Sequence, residues 1–139
     1  MFDFIWSKKK SEKSTILIVD DEPKIVQTLQ DRLEMNDYNV LIAFNGKEGM
    51  EQAAKQKPDV VLLDILMPVM NGHEMLAALR KEPGLEDTPV IMLTARSQQQ
   101  DIQQARALGI EDYIVKPFEV SELLAKIENI VESRKAAVK

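Results

Sequence analysis

Short apolar runs alternate with amphipathic segments from residue 15 onward. The runs are rich in Val, Ile and Leu and predict strands that are buried on both faces, whereas apolar residues spaced three and four apart between them predict helices. Regular alternation of strand and helix is typical of a parallel sheet covered on both faces. The predicted strands are 15–20, 39–44, 59–64, 89–94 and 112–115.

The segments between and after these strands predict five helices. The fourth, at about 98–108, carries only a thin apolar stripe of Ile102, Ala105 and Leu108, so we expect it to be the least firmly packed. The last helix has the clearest stripe, with apolar residues at spacings of three and four. The helices are expected to begin at Pro23, at about Gly46, after Asn71-Gly72, at about Gln98 and near Val120.

Polar residues stand where the predicted strands end. Asp20 and Asp21 follow the first apolar run and Asp64 follows the third, while Thr94 ends the fourth and Lys116 follows the fifth. The carboxyl ends of parallel strands meet at one edge of the sheet, where ligands of such folds bind. Acids gathered there make a negative pocket that suits a divalent cation and phosphoryl chemistry.

Composition indicates one domain. The 139 residues are 45% hydrophobic, enough for a single core and too few for two domains of ordinary size. We expect an N-terminal extension at 1–14, a domain at 15–135 and a C-terminal tail at 136–139. The net charge of -5 argues against general affinity for nucleic acid, and five strand–helix units leave no room for a DNA-binding output domain in cis.

The sequence predicts a cytoplasmic protein. No apolar run approaches the roughly 20 residues needed to span a bilayer. The first apolar residues precede Lys8-Lys9-Lys10, which inverts the order of a secretory signal. The absence of cysteine fits a reducing compartment.

The first fourteen residues allow two interpretations. They hold the only tryptophan and two of the four phenylalanines, with a net charge of +2. They form a flexible extension or pack onto the domain. Alternatively, they form a short amphipathic anchor for a membrane surface or a partner.

Six short motifs follow one another along the chain: Asp20-Asp21, Asp64, Met67-Pro68, Asn71-Gly72, Thr94-Ala95 and Lys116-Pro117-Phe118. Their order resembles the receiver domain of two-component response regulators over residues 15 to about 132. The resemblance implies a flavodoxin-like, doubly wound (βα)5 α/β fold whose parallel sheet has the order 2-1-3-4-5. The first and third strands would then be neighbours at the switch point.

The resemblance also implies a chemistry. Asp64 would accept a phosphoryl group from the phosphohistidine of a histidine kinase or phosphotransfer protein, or from a small phosphodonor. Asp21 and Asp64 would bind Mg²⁺ together with the backbone carbonyl of Leu66, and Asp20 would act through ordered water. Lys116 would supply a fixed positive charge.

Further residues would transmit the effect of phosphorylation and set the lifetime of the phosphoryl group. By the resemblance, Thr94 donates its hydroxyl to the phosphoryl group, and the bond between Lys116 and Pro117 is cis. Tyr113 is either a half-buried strand aromatic or a switch residue that moves with Thr94. Phosphorylation would change the face built from helix 4, strand 5 and helix 5 for an effector protein, with a phosphorylation-dependent homodimer left open. Leu66 and Arg96 occupy two positions that vary among receivers and bear on how long the phosphoryl group lasts.

Two functions of other classes fit the sequence less well. A haloacid-dehalogenase-like phosphohydrolase needs its nucleophile after the first strand with a second Asp two positions on, where this chain has Glu22. A flavodoxin-like electron carrier needs a phosphate loop there, which Asp20-Asp21-Glu22 would repel. A receiver fragment of a larger regulator also stays open. His73, the only histidine, is expected to be exposed. Because it lies on the same loop–helix segment as the acceptor, the donor histidine is expected to belong to another protein.

Overall fold

Strands and helices alternate throughout the residues that the computed structural model describes, 13–95 and 100–138. The predicted alternation is confirmed, and most ends agree within a residue or two. Asp20 lies just beyond the first strand, and the described part of the fourth helix begins at Asp101. The elements are β1 Thr15–Val19, α1 Pro23–Met35, β2 Asn39–Ala43, α2 Gly46–Gln56, β3 Val60–Asp64, α3 Gly72–Lys81, β4 Val90–Ala95, α4 Asp101–Ala107, β5 Asp112–Lys116 and α5 Val120–Val138.

All five strands are parallel and follow the order β2-β1-β3-β4-β5. The chain therefore winds outward from β1 in one direction and from β3 in the other, so a crevice opens where these two strands end. The flavodoxin-like (βα)5 fold expected from the resemblance is confirmed. No helix in the described part of the chain is both long and apolar enough to cross a membrane.

Each face of the sheet carries its own apolar core. Leu17 and Val19 of β1 face α2, α3 and α4, while Ile16 and Ile18 face α1 and α5. Successive strand residues point to opposite faces, and β1 lies in the sheet interior, so all four are fully buried. Burial of such a side chain stabilises the fold by roughly 1.5–3 kcal/mol. The two strands that end beside the acids, β1 and β3, are therefore anchored in both cores.

The start of α3 is fitted closely against the end of β3. Asn71 accepts from the backbone N–H of Glu74 at 2.9 Å, and Glu74 accepts from the N–H of Asn71 at 3.0 Å, a reciprocal cap. Gly72 follows, and a Cβ at this position would clash with the backbone carbonyl of Asp64. The absence of a side chain there lets the helix begin directly beside the acid.

The fourth helix is short. It has seven described residues, has no side-chain hydrogen bond at its N-cap, and buries Ile102 and Ala105. This small buried stripe agrees with the thin apolar pattern read from the sequence. The predicted extension at 1–14 lies outside the described residues up to residue 12, so that assignment stays a prediction.

Candidate functional site

Three aspartates converge where β1 and β3 end. Val19 pairs with Leu63, so the residues that follow them, Asp20 and Asp64, are placed side by side. One carboxylate oxygen from each of Asp20, Asp21 and Asp64 lies within 4.8 Å of the others. The strand-end pattern of the sequence thus corresponds to one compact acidic cluster.

The three acids differ in exposure. Asp20 is completely buried and Asp64 is 5% exposed, whereas Asp21 is exposed. One oxygen of Asp20 accepts from the backbone N–H of Glu22 at 2.9 Å, which ties the cluster to the start of α1. Asp20 is thus fixed inside the fold, while Asp21 faces solvent at the mouth of the cluster.

Lys116 is the cation of the cluster. Its Nζ donates to Asp20 at 2.8 Å and to Glu22 at 3.0 Å, and it lies 3.6 Å from Oδ1 of Asp64. It ends β5, and the bond to Pro117 is cis, as the resemblance implied. The lysine therefore reaches across the end of β4 to the two acid-bearing strands.

The electrostatics leave excess negative charge around Asp64. Burial and the neighbouring Asp20 raise the pKa of Asp64 from 3.8 to about 7, although Lys116 opposes the shift. For Lys116, burial alone would lower the pKa, but its hydrogen bond and charge interaction with Asp20 raise it above its usual value. One ammonium group does not neutralise the carboxylates that surround it.

This donor set fits a hard divalent cation. Carboxylate oxygens are preferred ligands of Mg²⁺, and the raised pKa of Asp64 reflects a cost of ionisation that a cation would relieve. The exposed Asp21 leaves one side of the cluster open to water, which Mg²⁺ commonly retains as a ligand. Leu66 follows two residues after Asp64, with its side chain 64% exposed.

Thr94 and Tyr113 lie along one face of the sheet beside this cluster. Thr94 is buried in β4, and its hydroxyl donates to the carbonyl of Ala95 at 3.1 Å. Tyr113 pairs with Met92 in β5, packs against the same core as α4, and lies under the guanidinium of Arg106 at 5.6 Å. A stacked cation thus connects α4 to the half-buried ring.

Comparison with known proteins decides the family. The family model described as the response regulator receiver domain matches residues 16–128. The chain belongs to the response regulator receiver family. This receiver has its acidic cluster, Lys116 and Thr94 at the matched strand ends, and the match favours the receiver interpretation over the hydrolase and electron-carrier alternatives.

Curated relatives of this receiver are regulators of transcription. The transcriptional regulatory protein YkoG of Bacillus subtilis is 47% identical over 116 residues, which are 84% of this chain and 50% of that protein. The DNA-binding transcriptional regulator RpaA of a Synechocystis strain is 39% identical over 84% of this chain and 48% of its own. The chain spans about half the length of the curated relatives it matches.

Solved structures of similar receivers share the whole fold. The chemotaxis protein CheY4 of Vibrio cholerae has a TM-score of 0.80 and 33% identity, covering 85% of this chain and 98% of that one. The receiver domain of a Pseudomonas aeruginosa sensor histidine kinase has a TM-score of 0.79 and 28% identity over 86% of this chain and 98% of its own. That structure has a magnesium ion coordinated in its active-site cleft.

Two residues of the receiver have surroundings that the sequence did not predict. Glu22 is a second acceptor for Lys116, a role the sequence analysis missed; its place two residues after Asp20, at the N-cap of α1, was the available signal. His73, expected to be exposed, has both ring nitrogens buried without a hydrogen-bond partner among the described residues. It follows Gly72, where α3 is held close to β3. Arg96 lies outside the described residues.

Proposed function

We propose that this receiver is a phosphorylation switch in which Asp64 is the phosphoacceptor. The observation that carries the proposal is the position of Asp64, which is buried beside Asp20 and Asp21 and lies 3.6 Å from Lys116. A nucleophilic carboxylate, additional acids for a cation and a fixed ammonium group are the components that phosphoryl transfer requires.

In the proposed reaction an oxygen of Asp64 attacks the phosphorus of a phosphohistidine. The O–P bond forms as the P–N bond breaks, and the imidazole nitrogen of the donor keeps the electron pair. Asp21, Asp64 and the backbone carbonyl of Leu66 would hold Mg²⁺, with Asp20 acting through water. When bound, the cation neutralises the phosphoryl oxygens and the acids that face them.

Lys116 and Thr94 would serve the phosphorylated state. Lys116 is engaged by Asp20 and Glu22, so neutralisation of these acids by a cation would release it toward the phosphoryl oxygens. The hydroxyl of Thr94, which donates to a local carbonyl, would turn to the same oxygens. Tyr113 would follow Thr94 because both lie on the α4 side of the sheet.

The proposed partners follow from this chemistry. A histidine kinase or phosphotransfer protein would be the donor, since His73 lies only nine positions after the acceptor on the adjoining helix. The face built from α4, β5 and α5 would bind an effector protein after phosphorylation, and a phosphorylation-dependent homodimer is the alternative use of that face. The protein would catalyse only its own phosphorylation and dephosphorylation.

The direct test is incubation with acetyl phosphate and Mg²⁺, followed by intact-mass measurement. We expect one phosphoryl group per chain, none in Asp64→Asn and an unchanged level in Asp31→Asn, an exposed control on α1. Continuous release of phosphate without a trapped adduct would favour a phosphohydrolase. Equal labelling of Asp64→Asn and the parent would contradict the assignment of the acceptor.

A receiver within a longer regulator is the second candidate. It is favoured by the coverage of the curated relatives, which are about twice as long as the match and are named as regulators of transcription. An immunoblot of source cells distinguishes the two, because a longer regulator gives a band well above the 15.8 kDa of this chain.

A further inference from the structure

A groove lies at the end of the sheet opposite the acidic cluster. It has a volume of about 330 Å³ and is bordered by three segments: the residues before β1, the turn before β2 and the part of α5 from Leu124 to Lys135. The strands begin at this edge and the acids stand at the other. A ligand here would leave the phosphoacceptor site accessible.

The floor of the groove is apolar. Val131 of α5 is 7% exposed, and Leu124 and Tyr38 are half-buried around it. Met35, next to the turn that borders the groove, is 77% exposed. Leu124, Val131 and Tyr38 form an apolar strip on the floor of the groove that a ligand with aromatic or aliphatic groups could contact.

The rim of the groove is mainly acidic. Glu128 and Glu132 stand one helical turn apart, and with Asp37 they place three acids on the lining against two lysines, Lys13 and Lys135. Burial raises the pKa of Tyr38 and the charges of Glu128 and Glu132 raise it further, so both carboxylates lie near its hydroxyl. None of the ion pairs found in residues 13–95 and 100–138 involves either glutamate. The rim therefore suits a basic ligand.

The chain itself enters the domain at this groove. Lys13 and Ser14 line it, and Asn39 fixes them by donating to the carbonyl of Ser14 at 2.9 Å and to that of Lys13 at 3.4 Å. The N–H of Thr15 donates to Asp59 at 2.7 Å. Residues that precede Lys13 thus start from a fixed point at the mouth of the groove.

The residues before this point have the complementary composition. Phe2, Phe4, Ile5 and Trp6 supply apolar groups, and Lys8-Lys9-Lys10 supplies three positive charges. The seven residue steps from Trp6 to Lys13 span at most about 25 Å when extended. That is long enough to return across the groove and short enough to keep the local concentration of the segment in the millimolar range.

We propose that residues 2–10 of this chain dock into the groove, with the aromatic groups against Leu124 and Val131 and the lysines beside Glu128 and Glu132. The tether makes the contact intramolecular, so a weak intrinsic affinity is sufficient. The docked segment covers the apolar floor of the groove. It also withdraws the aromatic–lysine segment from membranes and other partners.

Trp6, the only tryptophan, reports directly on this contact. In the full chain without lipid, we expect blue-shifted emission and weaker quenching by acrylamide than for free tryptophan, both independent of protein concentration. The Glu128→Lys/Glu132→Lys variant should lose most of the blue shift and regain quenching. Glu51→Lys, a reversal on the exposed side of α2, should leave both readings unchanged.

Three results would overturn the proposal. Emission like that of free tryptophan in the parent chain would mean that the segment is undocked. A blue shift that grows with protein concentration would place the segment on a second copy. A blue shift that develops only with phosphatidylglycerol vesicles, equally in the parent and the double variant, would assign the segment to a membrane surface. Far-UV circular dichroism of each variant confirms that the fold is retained.

Discussion

At the scale of single residues, the cluster is defined by unequal burial of like charges. Asp20 is fully buried and paired with Lys116 at 2.8 Å, whereas Asp64 is buried with the lysine at 3.6 Å. The residue types and their strand-end positions were readable from the sequence. Their unequal burial was not, because it depends on which neighbouring strands and helices cover each carboxylate. The contact between Glu22 and Lys116 could not be predicted for the same reason.

The pH dependence of stability should follow Asp64. Because its pKa is raised from 3.8 to about 7 in the folded state, the folded chain holds a proton that the unfolded chain releases. Stability is therefore lost as pH rises between these values. The Asp64→Asn variant removes this loss, so we expect it to exceed the parent in free energy of unfolding at about pH 8, by at most about 4 kcal/mol.

Urea unfolding at several pH values measures this difference. The difference in free energy of unfolding between Asp64→Asn and the parent should shrink toward zero near pH 4. The difference between Asp31→Asn and the parent should not change with pH in this way. Saturating Mg²⁺ should stabilise the parent alone and so reduce the advantage of the variant. A difference that stays constant with pH would contradict the raised pKa.

The phosphoryl lifetime should depend on Leu66. Leu66 is 64% exposed two residues after Asp64, and we propose that this bulky apolar group slows the approach of the attacking water. Leu66→Asn replaces it with a polar group that can hold water, so we expect faster dephosphorylation. The decay of the phosphorylated fraction after removal of donor gives the rate. An unchanged or longer lifetime would refute this role.

At the scale of secondary structure elements, the strands were the most predictable features and the turns the least. Buried aliphatic runs mark β1, β3 and β4 clearly because both faces are covered by helices. The start of α3 depends on more than pattern, since it needs Gly72 against the backbone of Asp64. The sequence indicated a turn at Asn71-Gly72, but the reason for glycine appears only in three dimensions.

Gly72 should therefore be intolerant of a side chain. A Cβ would meet the carbonyl of Asp64, which is backbone and cannot move without shifting β3 or α3. We expect Gly72→Ala to lower the free energy of unfolding by about 1–3 kcal/mol and to slow phosphorylation. Gly49→Ala is the matched control, because its closest contact is the flexible end of Met75. Equal losses in urea unfolding would contradict the argument.

At the scale of the whole molecule, the sequence predicted the layers but not the strand order. Alternating elements indicate a parallel sheet, whereas the order 2-1-3-4-5 came from the resemblance and is confirmed by the pairing of β1 with both β2 and β3. The convergence of Asp20, Asp21 and Asp64 depends on that order. The groove beside Lys13 was not predicted, because it is formed by three segments that are distant in sequence.

Magnesium should stabilise the whole fold through this convergence. A cation that binds only the folded chain adds about 2.7 kcal/mol at a concentration one hundred times its Kd. We expect the Tm to rise with millimolar Mg²⁺ and the rise to be greatly reduced in Asp21→Ala, whose exposed side chain contributes little to the core. Thermal unfolding monitored by circular dichroism gives the Tm of each protein. Equal rises in both proteins would count against binding at this cluster.

The central claim is that Asp64 alone receives the phosphoryl group. Its most direct test is to phosphorylate the full chain with acetyl phosphate and Mg²⁺, reduce the acyl phosphate with borohydride, and map the modified residue by peptide mass spectrometry. The account predicts a single modified position, Asp64. Modification at Asp20 or Asp21 instead, or none at any of the three, would contradict it.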